Sequence, residues 1–177
     1  MTFAADFSRW FPSYGGSCSR ASAGLDRYEC MSSHVYHELY IHLNWHTKEN
    51  RALLRGEFEH LTHKVMRDKC RGIRGAYLHG LGGTDDHVHL AVSIEPSVTI
   101  SELVRQLKGS SAHEVNQVTG HKLLEWQRGY GVVSFGKSHL GWVLDYIRNQ
   151  RQHHARGTLE SRLEWFDQPD ELVEKPG

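Results

Sequence analysis

The chain has 177 residues, a length that suits one compact domain with a buried core. Its 21 basic and 21 acidic side chains give a formal net charge of zero, so overall charge does not by itself indicate a polyanionic partner. No apolar stretch of roughly 18 residues occurs, and no basic segment precedes an apolar one at the start, so we predict neither a membrane span nor a secretory signal. The three cysteines lack a metal-binding spacing, which favours a reducing, cytoplasmic location.

The charges are unevenly distributed along the chain. Residues 31–157 hold 16 basic and 12 acidic side chains, whereas residues 158–177 hold two basic and six acidic ones. A mildly basic central region is compatible with nucleic-acid binding. We therefore predict a domain at 31–157, preceded by a disordered extension at 1–30 and followed by an acidic tail at 158–177.

The predicted elements alternate between strands and helices. Their order is strand, helix, strand, strand, helix, strand, helix, at residues 35–46, 57–71, 74–81, 86–94, 99–117, 131–135 and 138–155. The two strands on either side of Gly82-Gly83-Thr84-Asp85 form an antiparallel hairpin. The first six elements match a ferredoxin-like α+β fold, similar to that of RNA-recognition motifs, with helices on one face of an antiparallel sheet and a last, tyrosine-bearing helix.

His87-Val88-His89 opens the strand predicted at 86–94. Successive strand side chains point to opposite faces, so the two imidazoles share one face, about 7 Å apart along the strand. Imidazole nitrogen is the commonest protein ligand for metals, and this pair can therefore hold one ion. Taken alone, the pattern fits one core histidine beside an exposed one at least as well.

Tyr146 and Gln150 lie four residues apart, on one face of the last predicted helix. A tyrosine can attack a phosphodiester, but its phenol has an ordinary pKa of about 10 and must first lose its proton. A metal held by His87 and His89 would polarise the phosphate and stabilise the leaving 3′ oxygen, with the Gln150 oxygen as a third ligand. Nitrogen and oxygen ligands of this kind suit Mg²⁺ or Mn²⁺.

Four short motifs follow one another along the chain. They are Asp86-His87-Val88-His89-Leu90, Leu107-Lys108-Gly109-Ser110-Ser111, Trp126-Gln127-Arg128-Gly129-Tyr130-Gly131 and Tyr146-Ile147-Arg148-Asn149-Gln150. Together they resemble the HUH single-tyrosine transposases of the insertion-sequence-200-like type, over residues 33–156. The related REP-associated branch usually carries Tyr-Ile-His-x-Asn-Pro in this helix. Arg148-Asn149-Gln150 departs from that pattern, which favours the insertion-sequence branch.

The resemblance implies a complete mechanism. Enzymes of this family cleave single-stranded DNA beside imperfect hairpins, form a 5′-phosphotyrosine link and release a 3′-OH. By resemblance, His87 and His89 are the metal ligands, Tyr146 is the nucleophile and Gln150 is the third ligand. The family is typically dimeric, with the tyrosine helix of one subunit completing the metal site of the other. We therefore expect a divalent metal cofactor, single-stranded hairpin DNA as partner and a homodimer.

DNA contacts are predicted only by residue type. The basic side chains that could neutralise phosphates are Arg105, Lys108, Lys122 and Arg128. An ordinary polar helix face explains Arg105 and Lys108 equally well. Trp126 and Tyr130 are expected to pack within the protein rather than stack on bases.

The other histidines show no convincing site, and they include His42, His46, His60 and His63. His153 and His154 are adjacent in the predicted helix, where neighbouring positions diverge by about 100°. We interpret them as a solvated or DNA-facing helix end and not as metal ligands.

Other classes of protein share parts of this pattern. Histidine-triad nucleotide hydrolases carry His-x-His-x-His, but the third position here is Ala91. A purely structural ferredoxin-like module has no need of a histidine strand facing a tyrosine and a glutamine. A domesticated transposase, which binds hairpin DNA without cutting it, keeps the same motifs and stays an open alternative.

Overall fold

The computed structural model describes residues 36–165 and has a four-stranded antiparallel sheet at its centre, in the order β2-β3-β1-β4. The strands are β1 Leu39–His46, β2 Ala76–Gly83, β3 His87–Ile94 and β4 Gly131–Phe135. The helices are α1 Gly56–Arg71, α2 Ile100–Thr119, α3 Leu140–Arg148, α4 Gln150–Arg156 and α5 Ser161–Glu164. This order and topology confirm the predicted ferredoxin-like α+β fold. The extension predicted at 1–30 lies outside the described residues.

The face of the sheet that packs against α1 and α2 is apolar. Alternation along β1 places Leu43 and Trp45 on this face, and Val88 and Leu90 of β3 pair with them in register. All four side chains are fully buried in the larger of two apolar clusters. Burying a side chain of this size contributes about 1.5–3 kcal/mol, so this layer carries much of the fold's stability.

Helix α3 covers the opposite face, and glycines on β2 allow it to lie close to the sheet. A Cβ atom on Gly82 would lie 2.6 Å from the backbone oxygen of Ile147, and one on Gly80 would lie 2.5 Å from a terminal methyl of Leu144. Neither contact is sterically tolerable without movement, so the missing side chains allow α3 to approach the sheet. Ala91 of β3 packs in the small cluster under this helix.

The last helix is not continuous, contrary to the prediction for residues 138–155. It is interrupted at Asn149, whose backbone angles (φ −101°, ψ 17°) end α3 and begin α4. The Asn149 side chain donates to the Asp145 carbonyl at 2.9 Å, and its own carbonyl accepts from the Gln152 and His153 amides. Asparagine competes for backbone hydrogen bonds in this way, which explains the break. Gly157, at φ 66°, ends α4 as predicted.

The predicted acidic tail begins with packed structure. Helix α5 contacts β1 and β4, and its Leu163 is only 4% exposed. The boundary predicted at residue 157 therefore does not coincide with the end of the packed structure, while residues 166–177 lie outside the described range. Among the helices of residues 36–165, none is long and apolar enough to cross a membrane.

Candidate active site

Two buried histidines of β3 form the floor of the site. His87 is 2% exposed and His89 is fully buried, and their ring centroids lie 5.0 Å apart on the face that α3 and α4 cover. In the pairing with β1, His87 lies opposite His46 and His89 lies opposite Asn44. The prediction that His87 and His89 share a face is confirmed.

The Nδ1 atoms of both imidazoles are held by neighbouring groups. His87 Nδ1 lies 2.6 Å from Asp86 Oδ1 and 2.8 Å from Thr84 Oγ1, and His89 Nδ1 lies 2.9 Å from His42 Nε2. The hydrogen bond from His87 is the main reason that the pKa of Asp86 is held far below its usual range. Hydrogen bonds at Nδ1 fix the ring orientation and leave Nε2 as the nitrogen available to a ligand, an arrangement that is common in metal sites.

Two histidines of β1, for which no site was predicted, support this floor. Burial lowers the pKa of His42 to about 3, so its ring is neutral and its Nε2 can accept a hydrogen bond from His89. His46 stacks on His87 with ring centroids 4.6 Å apart, and burial lowers its pKa to about 4. The available signal was position: in an antiparallel ladder both histidines fall on the face that carries His87 and His89.

Tyr146 and Gln150 meet at this site despite the break between α3 and α4. Tyr146 is 4% exposed and Gln150 is 1% exposed. The Tyr146 hydroxyl donates to Glu164 Oε1 and accepts from the Glu160 backbone amide at 3.0 Å, while Gln150 Nε2 donates to the same Glu164 oxygen at 3.2 Å. Burial, followed by the Glu164 hydrogen bond, raises the pKa of Tyr146 to about 12.

Glu164 is a site residue that the sequence analysis missed. Its Oε2 lies 3.5 Å from His89 Nε2, 3.8 Å from His154 Nε2 and 3.9 Å from His87 Nε2. Burial raises the pKa of Glu164, but its interactions with His89, Tyr146 and His87 outweigh that effect and lower the pKa to about 2. The apolar Leu163 beside it was the available signal that this segment packs against the domain.

His154 is exposed at the end of α4, as predicted for a solvated helix end, but it lies beside the two histidines of β3. Its ring centroid lies 4.8 Å from that of His87, because α4 starts afresh after Asn149 and directs His154 towards β3. His153 stacks on the Tyr146 ring at 4.7 Å instead. The two adjacent histidines thus do diverge, but one of them reaches the site.

Two groups of side chains within residues 36–165 have ligand atoms close enough together to hold a metal ion. One is His87, His154 and Glu164, and the other is His46, Asp86 and His87. Atoms of the second group already bond one another through Asp86 and His87 Nδ1. The first group offers Nε2 atoms and a carboxylate oxygen, a donor set that suits divalent cations.

Two buried acceptor atoms complete this donor set. His89 Nε2 and Gln150 Oε1 are inaccessible to solvent and have no hydrogen-bond partner among the described residues. Leaving a buried polar atom unpaired costs about 1–3 kcal/mol, so such atoms call for an explanation. A cation that binds these two atoms would satisfy both, and the chemistry of the donor set therefore fits a divalent metal.

Of the four basic residues predicted to contact DNA, Lys108 is the one that is partly buried. Lys108 points into the protein, where its Nζ donates to the carbonyls of Gln127 at 3.0 Å and Gly129 at 2.6 Å and lies 5.5 Å from the Trp45 ring centroid. Burial lowers its pKa to about 8. Lys108 therefore holds the 127–129 loop, and its position does not support the phosphate contact predicted for it.

The other three predicted cations are exposed. Arg105 makes a two-pronged ion pair with Glu102, and Lys122 pairs with Glu125 at 2.9 Å. Arg128 is exposed on the loop that Lys108 holds. Contacts of all three with DNA remain predictions.

Trp126 and Tyr130 pack against the main core, as expected. The Trp126 indole donates to Ser111 Oγ at 3.0 Å, and its ring meets Trp45 edge-on. Trp142, in contrast, is 51% exposed and stacks on Tyr146 with ring centroids 5.9 Å apart.

Fold and site together define a ferredoxin-like domain in which a histidine strand faces a tyrosine helix. The sequence profile of the family described as "Transposase IS200 like" matches residues 35–150. Since that match covers well over half of the chain, the chain belongs to the IS200-like transposase family.

Individual relatives agree with this assignment. The chain is 27% identical to the ISDra2 transposase TnpA of Deinococcus radiodurans, over 66% of this chain and 86% of that protein. It is 25% identical to the transposase for insertion sequence element IS200 of Salmonella typhimurium, over 66% of this chain and 79% of that one.

Two solved structures resemble the chain. A putative transposase from Deinococcus radiodurans superposes with a TM-score of 0.56 at 27% identity, covering 68% of this chain and 97% of that one. A REP-associated tyrosine transposase bound to a REP hairpin superposes with a TM-score of 0.51, covering 73% of this chain and 76% of that one. At 13% identity, the second likeness concerns the fold alone.

Proposed function

We propose that this transposase cleaves and rejoins single-stranded DNA at hairpin-marked ends of its element, with Tyr146 as the nucleophile and a 5′-phosphotyrosine intermediate. One observation carries the proposal. A single carboxylate, that of Glu164, contacts the Tyr146 hydroxyl with one oxygen and approaches the Nε2 atoms of His87 and His89 with the other. The carboxylate of Glu164 therefore lies between the proposed nucleophile and the proposed metal-ligating nitrogens.

His87, His89 and Gln150 would hold the metal, for which Mg²⁺ or Mn²⁺ is the proposed identity. The unpaired Nε2 of His89 and Oε1 of Gln150 support this ligand set. When bound, the cation would polarise the scissile phosphate and stabilise charge on the leaving 3′ oxygen. Asp86 and His42 keep both imidazoles oriented for that task through their Nδ1 atoms.

Tyr146 must lose its proton to act as the nucleophile. With a pKa of about 12 the phenol is protonated at neutral pH, so its proton must leave as the bond to phosphorus forms. That proton has an exit along the hydrogen bond to Glu164 Oε1, while the Glu160 amide remains as a donor to the oxygen. As the oxygen–phosphorus bond forms, the bond from phosphorus to the 3′ oxygen breaks. Rejoining is the reverse, with a 3′-OH as the attacking group.

Covalent trapping tests the nucleophile. The full chain is incubated with Mn²⁺ and labelled single-stranded DNA that carries the hairpins flanking its own gene, and the products are run on a denaturing gel. A slow band is expected for the wild type and for the matched control Tyr77→Phe, an exposed tyrosine on β2. Tyr146→Phe should bind the hairpin and give no band. If Tyr146→Phe still forms the adduct, Tyr146 is not the nucleophile, and hairpin binding without any adduct in the wild type would favour a domesticated binder.

The proposed active form is a homodimer whose sites are completed in trans, as the resemblance implies. Tyr146 lies at the histidines of its own chain within the described residues, so completion in trans requires α3 and α4 to exchange between subunits. Hairpin DNA is the proposed partner, as the resemblance to this family implies.

Mixing two inactive variants tests the exchange. Differently sized forms of Tyr146→Phe and of the double variant His87→Ala with His89→Ala are co-expressed, purified as mixed dimers and given labelled DNA. Completion in trans should restore an adduct on the histidine-deficient chain, which alone retains Tyr146. Absence of any adduct from mixed dimers would show that each chain uses its own tyrosine.

A further inference from the structure

We infer that Glu164 is itself a ligand of the metal, so that the chain completes its metal site from α5. This segment lies beyond residues 35–150, the part that matches the family. The inference rests on the proposed function for the presence of a metal at His87 and His89. It adds a ligand that the four sequence motifs do not contain.

The distances around Glu164 resemble those between ligands that share one ion. Atoms about 2.1 Å from a common cation lie roughly 3.0–3.5 Å from one another. Glu164 Oε2 lies 3.5–3.9 Å from the Nε2 atoms of His89, His154 and His87, which is slightly longer than that range. Hydrogen bonds of good geometry are shorter, with N···O distances of about 2.9 Å. The three imidazoles therefore surround the carboxylate oxygen without bonding it directly.

The carboxylate is held so that one oxygen faces these imidazoles. Its other oxygen, Oε1, accepts hydrogen bonds from Tyr146 and Gln150, which fixes the rotation of the group. The neighbouring Leu163 is buried, and the Glu164 side chain is only 16% exposed. Oε2 is thus left with the nitrogen atoms as its neighbours.

The charge of the donor set favours a carboxylate. Imidazoles and the amide oxygen of Gln150 are all neutral ligands, and a site built from them alone binds softer cations such as Zn²⁺ at least as well as Mg²⁺ or Mn²⁺. A carboxylate oxygen is the ligand that these hard cations prefer. Since Glu164 also accepts from Tyr146, its two oxygens would place the ion and the nucleophile on opposite sides of one rigid group.

Metal binding without DNA tests the assignment directly. Mn²⁺ is titrated calorimetrically into the full chain, into Glu164→Gln and into the matched control Glu114→Gln, an exposed glutamate on α2 with the same change of charge. Glu164→Gln should bind Mn²⁺ about 10- to 100-fold more weakly, a loss at least as large as that expected for removing a group that only orients a ligand. Glu114→Gln should bind like the wild type.

A second variant separates a lost ligand from a disturbed fold. Glu164→Asp keeps the charge on a shorter side chain and should show an intermediate affinity. The thermal unfolding midpoint of metal-free Glu164→Gln should fall only slightly, because the charge is lost but glutamine can still accept from Tyr146. The assignment is overturned if Glu164→Gln and Glu164→Asp lose the same metal affinity and both show a large fall in the metal-free unfolding midpoint. Glu164 would then act through the fold.

Failure of this inference is distinguishable from failure of the proposed function. If the double variant His87→Ala with His89→Ala binds Mn²⁺ like the wild type, the proposed metal site is wrong. If that variant loses Mn²⁺ while Glu164→Gln keeps wild-type affinity, only the assignment of Glu164 is wrong. Unchanged affinity together with faster cleavage by Glu164→Gln would identify Glu164 as a group that occupies the position of the scissile phosphate.

Discussion

The two faces of the sheet use the same strands for opposite purposes. Towards α1 and α2, β1 and β3 present fully buried apolar side chains such as Leu43 and Leu90. Towards α3 and α4, the same strands present histidines that are equally buried, including His42 and His89. A polar side chain removed from water lowers stability unless it is paired. The apolar face therefore supplies stability, and this allows the opposite face to carry buried histidines.

Paired truncations on β3 give the largest contrast between the faces. The double variant His87→Ala with His89→Ala should lose metal-dependent cleavage completely, because both imidazoles proposed as metal ligands are removed. Leu90→Ala, directly after His89 in sequence but on the other face, should lower the free energy of unfolding by about 2–5 kcal/mol, while the folded fraction still cleaves. Cleavage assays and denaturant unfolding of both variants check this division. Metal-dependent cleavage by the histidine variant would remove the metal site from the active face.

Substitutions of the two β2 glycines under α3 should have effects of intermediate size on the face that carries the histidines. Gly82→Ala would push on the Ile147 backbone and should lower stability by about 1–3 kcal/mol while displacing the helix that carries Tyr146. Gly80→Ala meets only the flexible end of Leu144 and should cost less. Unfolding free energies and adduct yields of the two variants test the difference. Equal effects would mean that the distance between α3 and the sheet does not position Tyr146, the proposed nucleophile.

The smallest expected effect is a change in how stability depends on pH when His63 is replaced. Burial, with the nearby charge of Arg67, lowers the pKa of this α1 histidine to about 4, and its Nε2 has no partner among residues 36–165. The unfolded chain, with a pKa near 6.5, therefore takes up the proton first, so stability falls as pH drops from about 6.5 towards 4. His63→Gln should lose less stability than the wild type over that window. Parallel stability–pH curves would show that His63 does not contribute.

What the sequence predicts well is local. Alternation along β3 correctly places His87 and His89 on one face, and the spacing of Tyr146 and Gln150 correctly brings them to one site. The side chain at 149 was also visible in the sequence, yet helical periodicity hides a break that depends on its bond to the Asp145 carbonyl. A periodic pattern reports which face is buried and not where the backbone changes direction.

The site residues that the sequence does not predict depend on contacts between segments that are distant in the chain. His42 reaches His89 only through the pairing of β1 with β3, 47 residues apart. Glu164 and His154 come to the site through the break at Asn149 and the docking of α5, neither of which has a sequence period. Lys108 looks like a surface cation because the carbonyls that receive it lie 19–21 residues further along the chain.

The position of Lys108 bears on how this protein's affinity for DNA should respond to salt. Each phosphate that a cation neutralises releases counterions and adds about 0.7 to the slope of log affinity against log salt for single strands. An ammonium already surrounded by the carbonyls of the 127–129 loop releases none. A count of lysines and arginines in the sequence therefore overstates that slope, because it includes a cation that the protein itself already holds.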